Sequence, residues 1–489
     1  MRFGFQHSYA SLPGRFYARV DPTPVANPQL VAFNTPLAND LGLEPVAVAA
    51  AAADLLSGNR LPDDAQPIAM AYAGHQFGNF VPQLGDGRAI LLGELEGHDG
   101  VLRDLQLKGA GLTPFSRNGD GRAALGPMLR EYLVSEAMHA LGVPTTRSLA
   151  VVTTGQPVFR EGAALPGAVL TRVAASHVRV GTFEYFAARD DQDAIRELLE
   201  YVIARHYPEA RDAARPALAV LQEVTRRQVS LVTDWMLLGF IHGVMNTDNM
   251  AISGETIDYG PCAFMDEYEP KTVFSSIDDG GRYAYANQVV IARWNLARFA
   301  ETLLALIDPE PQTAVALATE VIAPFVARFD EHFLAGMRRK IGLSTAADGD
   351  AALVKRLLNA MQHARADFTL TFRGLTLAAA SRGEESRLRE LFEHSSDLDD
   401  WLREWQRRLA GDPQTVAERE AGMRAANPAF IPRNHRVEAA LDAAASGDYG
   451  PFHELRRILE RPYEDQPGVE AYREPPRPSE RVLRTFCGT

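Results

Sequence analysis

The chain reads His242-Gly243-Val244-Met245-Asn246-Thr247-Asp248-Asn249 near its middle, and Ile257-Asp258-Tyr259-Gly260 follows shortly afterwards. Two carboxylates, Asp248 and Asp258, and the amide of Asn249 therefore lie close together in sequence. Carboxylate and amide oxygens are ligands that Mg²⁺ accepts, and a carboxylate can also take a proton from a reacting hydroxyl. The stretch predicts a site that combines a metal ion with a proton acceptor.

This arrangement matches the catalytic segment of protein kinases, with one substitution. Kinase loops have the pattern H-x-D-x-x-x-x-N, in which the Asp orients the hydroxyl and the Asn holds magnesium, and a later D-x-G triplet grips the nucleotide-bound metal. His242 and Asn249 keep the spacing, but Val244 occupies the position of the kinase Asp. A hydrocarbon side chain can neither accept a proton nor bind a cation. Either the chain has lost transfer chemistry, or Asp248 performs it in a different geometry.

A candidate phosphate-binding unit precedes this stretch. Gly85-Asp86-Gly87-Arg88 leads into the apolar run 89–92, and a second apolar run, 101–107, ends on Lys108. The pattern predicts a strand, a turn and a strand. Glycine lets backbone N–H groups approach phosphate oxygens closely, and a lysine at the end of the hairpin can reach the same oxygens. Because such turns are common in hairpins, the prediction depends on the order of the parts along the chain.

A helix is predicted after residue 126, because Pro127 suits a first turn and apolar residues recur along one side. It carries Glu131 in its early turns and Glu136 about 140° further around the axis, at about 100° per residue. In kinases a helix carboxylate orients the strand lysine by ion pairing. Glu131 is the natural partner of Lys108, and Glu136 is the alternative.

Five motifs together resemble the selenoprotein O family, whose members are kinase-fold pseudokinases that act as protein adenylyltransferases. The motifs are residues 242–249, Tyr72-Ala73-Gly74-His75-Gln76-Phe77-Gly78, Leu84-Gly85-Asp86-Gly87-Arg88, Leu107-Lys108-Gly109-Ala110-Gly111 and Asn118-Gly119-Asp120-Gly121-Arg122. The resemblance covers nearly the whole chain and implies a bilobal, protein-kinase-like α+β fold. It also implies that ATP binds in a flipped orientation, so that AMP passes to Ser, Thr or Tyr hydroxyls of proteins and pyrophosphate leaves.

The resemblance further implies a role for each site residue. Asp248 is similar to the catalytic base, and Asn249 and Asp258 are similar to the ligands of Mg²⁺, with Mn²⁺ as the alternative ion. Lys108 resembles the phosphate-binding lysine, with Glu131 as its support. The other matches to ATP-binding positions of the family are Gly85, Gly87, Arg88, Asp120, Gly121, Arg172 and Arg179, together with Asp258 itself. Arginine suits a triphosphate because it forms two-pronged hydrogen bonds to phosphate oxygens.

Each of these residues also has a purely structural interpretation. Asp248 and Asn249 could form a turn that caps a strand at 250–252. Arginines such as Arg172 and Arg179 are mostly exposed in proteins. His242 is predicted to brace its loop rather than to act as a general base, and His75 is predicted to be a core or turn histidine.

The two cysteines lie at informative positions. Cys262 directly follows residues 258–261, and Cys487 is third from the end of the sequence. The latter position resembles the place of the family's selenocysteine or its cysteine replacement, and similar relatives use a disulfide between tail and core for redox control. The resemblance makes Cys262 and Cys487 a candidate redox pair. Two unpaired thiols in a reducing compartment are the alternative.

Composition limits the classes of partner. The net charge of −13 over 489 residues argues against non-specific binding to nucleic acid and to anionic membranes. No apolar run approaches the roughly 18 residues that cross a bilayer, and the first residues lack the apolar core of a secretory signal. We therefore expect a cytoplasmic location. The resemblance implies an enzyme, expected to be monomeric, whose partners are ATP and protein substrates.

The chain is predicted to contain four segments. These are an N-terminal extension at 1–64, a strand-rich kinase-like N-lobe at 65–185, a C-lobe with the catalytic loop at 186–345, and a helical C-terminal extension and tail at 346–489. The stretch 462–478, rich in Pro, Glu and Arg, is expected to be extended and poorly ordered. The predicted function is ATP-dependent transfer of AMP to protein hydroxyls. A conventional phosphotransferase and an inactive nucleotide-binding scaffold are the alternatives.

Overall fold

The computed structural model describes residues 1–160, 162–380 and 385–486, apart from the side chain of Arg387. The chain is mixed α/β, and its strands pair antiparallel. The strands are β1 (Tyr17–Arg19), β2 (Gln29–Phe33), β3 (Ile68–Met70), β4 (Gly74–Gln76), β5 (Asn79–Val81), β6 (Ala89–Glu96), β7 (Leu102–Lys108), β8 (Ala123–Ala124), β9 (Arg147–Arg160), β10 (Ala163–Ala174), β11 (Phe240–Ile241) and β12 (Ala263–Phe264).

Helices dominate the second half of the chain. The α-helices are α1 (Thr35–Asp40), α2 (Pro45–Leu55), α3 (Leu125–Ala140), α4 (Val180–Ala187), α5 (Gln192–His206), α6 (Pro216–Leu238), α7 (Gln288–Ile307), α8 (Pro311–Ile322), α9 (Phe325–Lys340), α10 (Asp350–Ala364), α11 (Phe368–Ala380), α12 (Ser386–Leu391), α13 (Ser396–Ala410), α14 (Val416–Ala426), α15 (Asn434–Ala445) and α16 (Gly450–Leu459). One apolar cluster joins α4 through α14. Within the described ranges, no helix combines the length and the apolar character that crossing a membrane requires.

The largest sheet has the strand order β1-β3-β6-β7-β10-β9-β2, and β8 pairs with β10. The predicted hairpin is β6 and β7, and β7 ends on Lys108 as expected. The sheet starts earlier in the chain than the predicted strand-rich segment, because β1 and β2 lie within residues 1–64. These short strands pair with β3 and β9, which come much later in the sequence.

The strand register places Lys108 and Arg172 on one face of this sheet. Lys108 on β7 lies opposite Leu170 on β10, and Gln106 lies opposite Arg172. Cross-strand partners share a face, and so do side chains two residues apart along a strand. Helix α3 packs against Leu170 in a common apolar cluster. The sheet therefore presents two cationic side chains toward the helix that carries Glu131.

Helix α3 is also fixed to the C-terminal extension. The buried Arg130 donates hydrogen bonds to Glu438 Oε1 at 2.7 Å and to Asn434 Oδ1 at 2.8 Å, both on α15. The same guanidinium donates to the Cys262 carbonyl oxygen at 2.5 Å, just after the Asp258 segment. Side chains of α3, α15 and α16 share one apolar cluster. These contacts set the position of the helix residue that follows Arg130, which is Glu131.

Helix α6 leads directly into the loop at residues 242–249, as the sequence predicts. The helix is capped by Gly239, whose φ of 72° is the left-handed conformation that glycine commonly supplies at helix ends. Strand β11 then pairs with β12, and this pairing brings the two ends of the segment 242–262 close together. The expected strand at 250–252 is only an isolated bridge between Ala251 and Arg179.

The stretch 462–478 is packed, in contrast to the prediction. The Pro462 carbonyl oxygen accepts a hydrogen bond from the Ala429 N–H at 2.7 Å. The Arg473 carbonyl oxygen accepts one from the buried Arg433 guanidinium at 2.9 Å. Further on, the Thr485 N–H donates to the Phe274 carbonyl oxygen at 2.7 Å. Composition alone suggested disorder, but buried donors in the preceding extension satisfy the backbone of this stretch.

Candidate active site

Four buried charged side chains and the half-buried Asp258 meet where β7, β10, α3 and the segment after α6 come together. Lys108 Nζ lies 2.6 Å from Glu131 Oε2 and 2.9 Å from Asp258 Oδ1. Arg172 Nη1 lies 2.9 Å from Asp258 Oδ1, and Arg179 Nη1 lies 3.0 Å from Asp258 Oδ2. The arginines are buried, although the sequence alone gave exposure as the more common state of such residues. Asp258 is the carboxylate that connects all three cations.

This cluster has more positive than negative charge. Lys108, Arg172 and Arg179 are three cations, whereas Glu131 and Asp258 are two carboxylates. Burial alone acts to raise the pKa of Asp258, but the three adjacent cations outweigh it and hold this pKa well below the ordinary value. Asp258 is therefore ionised at neutral pH. Excess buried positive charge is favourable for a bound polyanion such as a phosphate chain.

The backbone at Asp258 is unusual. Its φ is 65°, in the left-handed region, where Asp is more common than most other non-glycine residues. Strained backbone conformations of this type are concentrated at functional sites, where surrounding contacts maintain them. Here the maintaining contacts are the ion pairs to Lys108, Arg172 and Arg179.

Asp248 lies beside this cluster and has a different electrostatic environment. Arg179 Nη1 donates to the Asp248 carbonyl oxygen at 2.8 Å as well as to Asp258, so one guanidinium nitrogen connects the two residues. The Asp248 carboxylate accepts one side-chain hydrogen bond, from Gln76 Nε2 at 3.3 Å. Burial raises its pKa to about 6, partly opposed by Arg179. A carboxylate with this pKa is well suited to accept a proton near neutral pH.

The residues around Asp248 define the shape of its loop. His242 Nε2 lies 2.9 Å from the Ile257 carbonyl oxygen, and the Val244 N–H donates to His242 Nδ1 at 3.3 Å. This buried imidazole connects two segments, in agreement with its predicted structural role. Asn249 Nδ2 donates to the Val244 carbonyl oxygen at 3.0 Å, which leaves the amide oxygen of Asn249 available as an acceptor.

The donor set at this site suits a hard divalent cation. Asp258 and Asn249 offer carboxylate and amide oxygens, the ligand type of Mg²⁺. Within the described ranges, no group of three or more His, Cys, Asp or Glu side chains could form a metal cage. Mg²⁺ commonly takes only one or two protein carboxylates and completes its coordination with water and substrate phosphates. The two residues fit an ion of this kind that arrives with a phosphate substrate.

The glycine turn at 85–88 is tightly packed. Gly85 has a φ of 69°, and a Cβ at this position would lie 2.3 Å from Phe115 Cγ. A Cβ on Gly87 would lie 2.9 Å from the Phe115 carbonyl oxygen. The Arg88 carbonyl oxygen accepts from the Gly109 N–H at 2.7 Å, so this turn is connected to the residue after Lys108. Side chains are therefore excluded here by packing.

The second glycine turn lies further from the charged cluster. The Gly121 carbonyl oxygen accepts from the Gly111 N–H at 3.0 Å. Asp120 forms a two-pronged ion pair with Arg160, at 2.9 and 3.0 Å, on the protein surface. The structure thus brings together Lys108, Glu131, Arg172, Arg179 and Asp258, with Asp248 adjacent, whereas Asp120 has a separate partner.

The two glutamates that the sequence left as alternatives have different partners. Glu131 contacts Lys108. Glu136 accepts hydrogen bonds from Arg147 at 2.7 and 2.9 Å, and from the Ser148 N–H at 2.9 Å. Only the former belongs to the charged cluster.

Residues 72–78 contribute contacts that the sequence analysis did not assign. The Arg179 guanidinium lies over the Tyr72 ring, 4.5 Å from its centroid. Gln76 contacts Asp248, and His75 Nδ1 lies 2.6 Å from Glu184 Oε1. His75 is therefore a paired, half-buried histidine of strand β4 rather than the predicted core or turn histidine. The motif at residues 72–78 was recognisable in the sequence, because it carries part of the family resemblance. Its spacing, however, does not assign a chemical role to any of its residues.

The candidate redox pair can be described in part. Cys262 is buried, and it lies four positions after Asp258 in the sequence. Cys487 lies outside the described residues. The proposed pairing therefore stays a prediction.

Known proteins of similar sequence indicate which family this site belongs to. A family profile described as "Protein adenylyltransferase SelO" matches residues 1–460. The chain is 61% identical over 488 residues to a "Protein nucleotidyltransferase YdiU" of Rhizobium meliloti (strain 1021), which covers 100% of this chain and 99% of the relative. It is 61% identical over 491 residues to a protein of the same name in Bradyrhizobium sp. (strain BTAi1 / ATCC BAA-1182), covering 100% of both. A third, from Bradyrhizobium sp. (strain ORS 278), is 60% identical over 491 residues, again covering 100% of both.

Proposed function

The chain belongs to the SelO (selenoprotein O) family of protein adenylyltransferases, and from this membership we propose that it transfers AMP from ATP to protein hydroxyls with release of pyrophosphate. The acceptors are Ser, Thr or Tyr side chains of other proteins. The observation that best supports this proposal is the buried cluster in which Lys108, Arg172 and Arg179 surround Asp258, next to Asp248. It combines an anion-binding site with a proton acceptor.

The proposed fold is a bilobal kinase-like arrangement. The sheet at the N-terminal side, with α3, forms the N-lobe over about residues 65–185. The helices from α5 onward form the C-lobe to about residue 345, and a helical extension follows. ATP is proposed to bind where Lys108 of the sheet faces Asp258, since strand β7, helix α3 and the segment after α6 converge there.

Each charged residue has a proposed role at the phosphate chain. Lys108 contacts phosphate oxygens, and Glu131 fixes the direction of its ammonium group. Arg172 and Arg179 bind the β- and γ-phosphates, because two-pronged arginine contacts suit the highly anionic pyrophosphate leaving group. Mg²⁺ held by Asn249 and Asp258 would supply charge neutralisation of phosphate oxygens.

The glycine turns have proposed roles at the nucleotide. Gly85 and Gly87 allow backbone N–H groups to approach it closely, and the half-buried Arg88 adds a cation at the same turn. Gly121 and Asp120 contact its far side. Contact through Asp120 requires that this carboxylate exchange its Arg160 partner for the nucleotide.

The proposed reaction is a displacement at the α-phosphorus. The acceptor oxygen forms a bond to this phosphorus while the bond to the bridging oxygen of the β-phosphate breaks, and pyrophosphate leaves with that electron pair. Asp248 receives the proton of the acceptor hydroxyl. This sequence requires the α-phosphate, rather than the γ-phosphate, to lie at Asp248, which is the flipped orientation.

A crystal structure with a non-hydrolysable ATP analogue and Mg²⁺ tests this proposal. The expected result is an α-phosphate adjacent to Asp248, with the β- and γ-phosphates against Arg172 and Arg179. A γ-phosphate adjacent to Asp248 with adenine deep between the lobes would contradict it, and would indicate conventional kinase chemistry.

Glu131→Gln is expected to lower kcat/KM for ATP by about 10- to 100-fold. The variant removes a charged hydrogen bond to Lys108 worth about 1.5–3 kcal/mol, and about 1.4 kcal/mol corresponds to a tenfold change in rate. Glu136→Gln is the matched control on the same helix. It should lower the midpoint of thermal unfolding through lost contacts to Arg147, while kcat/KM stays within about twofold of wild type. Equal kinetic losses in the two variants would refute the assigned role of Glu131.

A further inference from the structure

A short hairpin covers the loop that carries Asp248. It consists of β4 and β5, joined by Phe77 and Gly78, whose φ values of 52° and 85° fit a two-residue turn. Three adjacent residues of the hairpin contact three adjacent residues of the loop. The Phe77 N–H donates to Asn246 Oδ1 at 3.1 Å, the His75 N–H donates to Thr247 Oγ1 at 2.7 Å, and Gln76 Nε2 donates to Asp248 Oδ2 at 3.3 Å. The hairpin is thus attached to the loop at three points.

The two carboxylate oxygens of Asp248 are not equivalent in this arrangement. Oδ1 is buried against Gly74, where an added Cβ would lie only 2.4 Å from it. Within the described part of the chain, Oδ1 accepts no hydrogen bond. A hydroxyl of another protein has no space to approach Oδ1 from the side of Gly74. Oδ2, by contrast, contacts the Gln76 side chain, at 3.3 Å from Nε2.

We propose that Gln76 is a positioning residue for AMP transfer, which fixes Asp248 by donating to Oδ2 so that this oxygen receives the proton of the acceptor hydroxyl. The inference rests on the proposed function, because it assumes that Asp248 is the base. It adds a role for the hairpin, which forms one wall of the place where the acceptor side chain enters. Gly74 contributes by closing the approach to Oδ1.

Further contacts anchor the hairpin to α4. Glu184 on α4 accepts a hydrogen bond from the Thr247 hydroxyl and lies 2.6 Å from His75 Nδ1. Thr247 thus accepts from the His75 backbone and donates to Glu184. Because this network holds His75 and Thr247, the neighbouring Gln76 and Asp248 stay aligned. The anchoring explains how a half-buried amide can keep a fixed position at a reactive carboxylate.

The test compares Gln76→Ala and Gln76→Glu with Gln83→Ala, an exposed glutamine in the connection after the hairpin. AMP transfer to a protein acceptor is measured at varied ATP concentration, so that kcat and KM are separated. Gln76→Ala is expected to lower kcat about tenfold with KM for ATP within twofold, because the carboxylate loses its positioning contact while the nucleotide site is intact. Gln76→Glu keeps the shape of the side chain, but an ionised carboxylate cannot donate to Oδ2, so it should lower kcat to a similar extent. Gln83→Ala should match wild type.

Gln76→Glu is nearly isosteric, so it keeps the test valid if Gln76→Ala folds poorly. Wild-type kcat in both Gln76 variants, together with an inactive Asp248→Asn enzyme, would overturn the role of Gln76 and leave the proposed function intact. Absence of AMP transfer by the wild-type enzyme would instead refute the proposed function.

Discussion

Asp258→Ala is expected to reduce AMP transfer by about 10²- to 10³-fold, the scale of losing a preorganised electrostatic contact in an active site. The variant removes the carboxylate that connects Lys108, Arg172 and Arg179 and that is proposed to hold Mg²⁺. Transfer is measured with a radiolabelled nucleotide at saturating ATP. Asp279→Ala, which removes an exposed carboxylate in the segment before α7, is the control and should retain full activity.

The same variant has a predicted effect on stability. Without Asp258, three buried cations lose their common partner, and breaking a buried ion pair costs about 3–5 kcal/mol. Inorganic pyrophosphate in the presence of a chelator can supply the missing negative charge. We expect it to raise the midpoint of thermal unfolding more in Asp258→Ala than in wild type. Wild-type activity and unchanged stability would together show that Asp258 is not the centre of the site.

Asp248→Asn is expected to lower kcat by about 10²- to 10⁴-fold, the usual contribution of a general base, while the affinity for ATP stays near that of wild type. The change keeps the shape of the side chain and removes its ability to accept a proton. Calorimetric titration with ATP and a single-turnover transfer assay separate binding from chemistry. Loss of ATP binding with chemistry otherwise intact would make Asp248 a ligand residue rather than the base.

The pH dependence of kcat gives a second view of Asp248. Because burial raises its pKa to about 6, the base is protonated below this pH and transfer should rise with pH through about 6. The raised pKa also means that ionisation of Asp248 lowers folding stability as pH increases through 6. Asp234 on α6 is a useful control, since burial raises its pKa to about 6 as well. Asp234→Asn should leave the acidic limb unchanged, whereas Asp248→Asn should remove it.

Local sequence patterns predicted much of the fold near the site. Apolar runs and glycine turns identified the hairpin that ends on Lys108. Strands β1 and β2 were not predicted, because they are short and pair with strands far away in sequence, such as Gln29 with Thr153. The contacts that anchor the tail were missed for a similar reason. The Arg473 carbonyl group, for example, accepts a hydrogen bond from the distant Arg433, and composition does not reveal such a contact.

At the candidate site, too, local patterns could be predicted and long-range contacts could not. Spacing alone indicated Asn249 and Asp258, and it marked Asp248 as the nearest carboxylate to the position that Val244 occupies. The choice between Glu131 and Glu136 depended on how α3 packs against the sheet. The contact of Gln76 with Asp248 joins residues 172 positions apart, and no local pattern encodes such a separation. The sequence identifies which residue types belong to the site. Contacts between residues that are distant in sequence can be identified only from the tertiary structure.

The most direct test of AMP transfer uses ATP labelled separately at the α- and the γ-phosphate. The enzyme is incubated with Mg²⁺ and a protein acceptor under each label, and the washed protein is counted. The account predicts that the α-label is incorporated into protein and the γ-label is released as pyrophosphate. Incorporation of the γ-label without the α-label would show that the protein transfers phosphate, and would contradict the account.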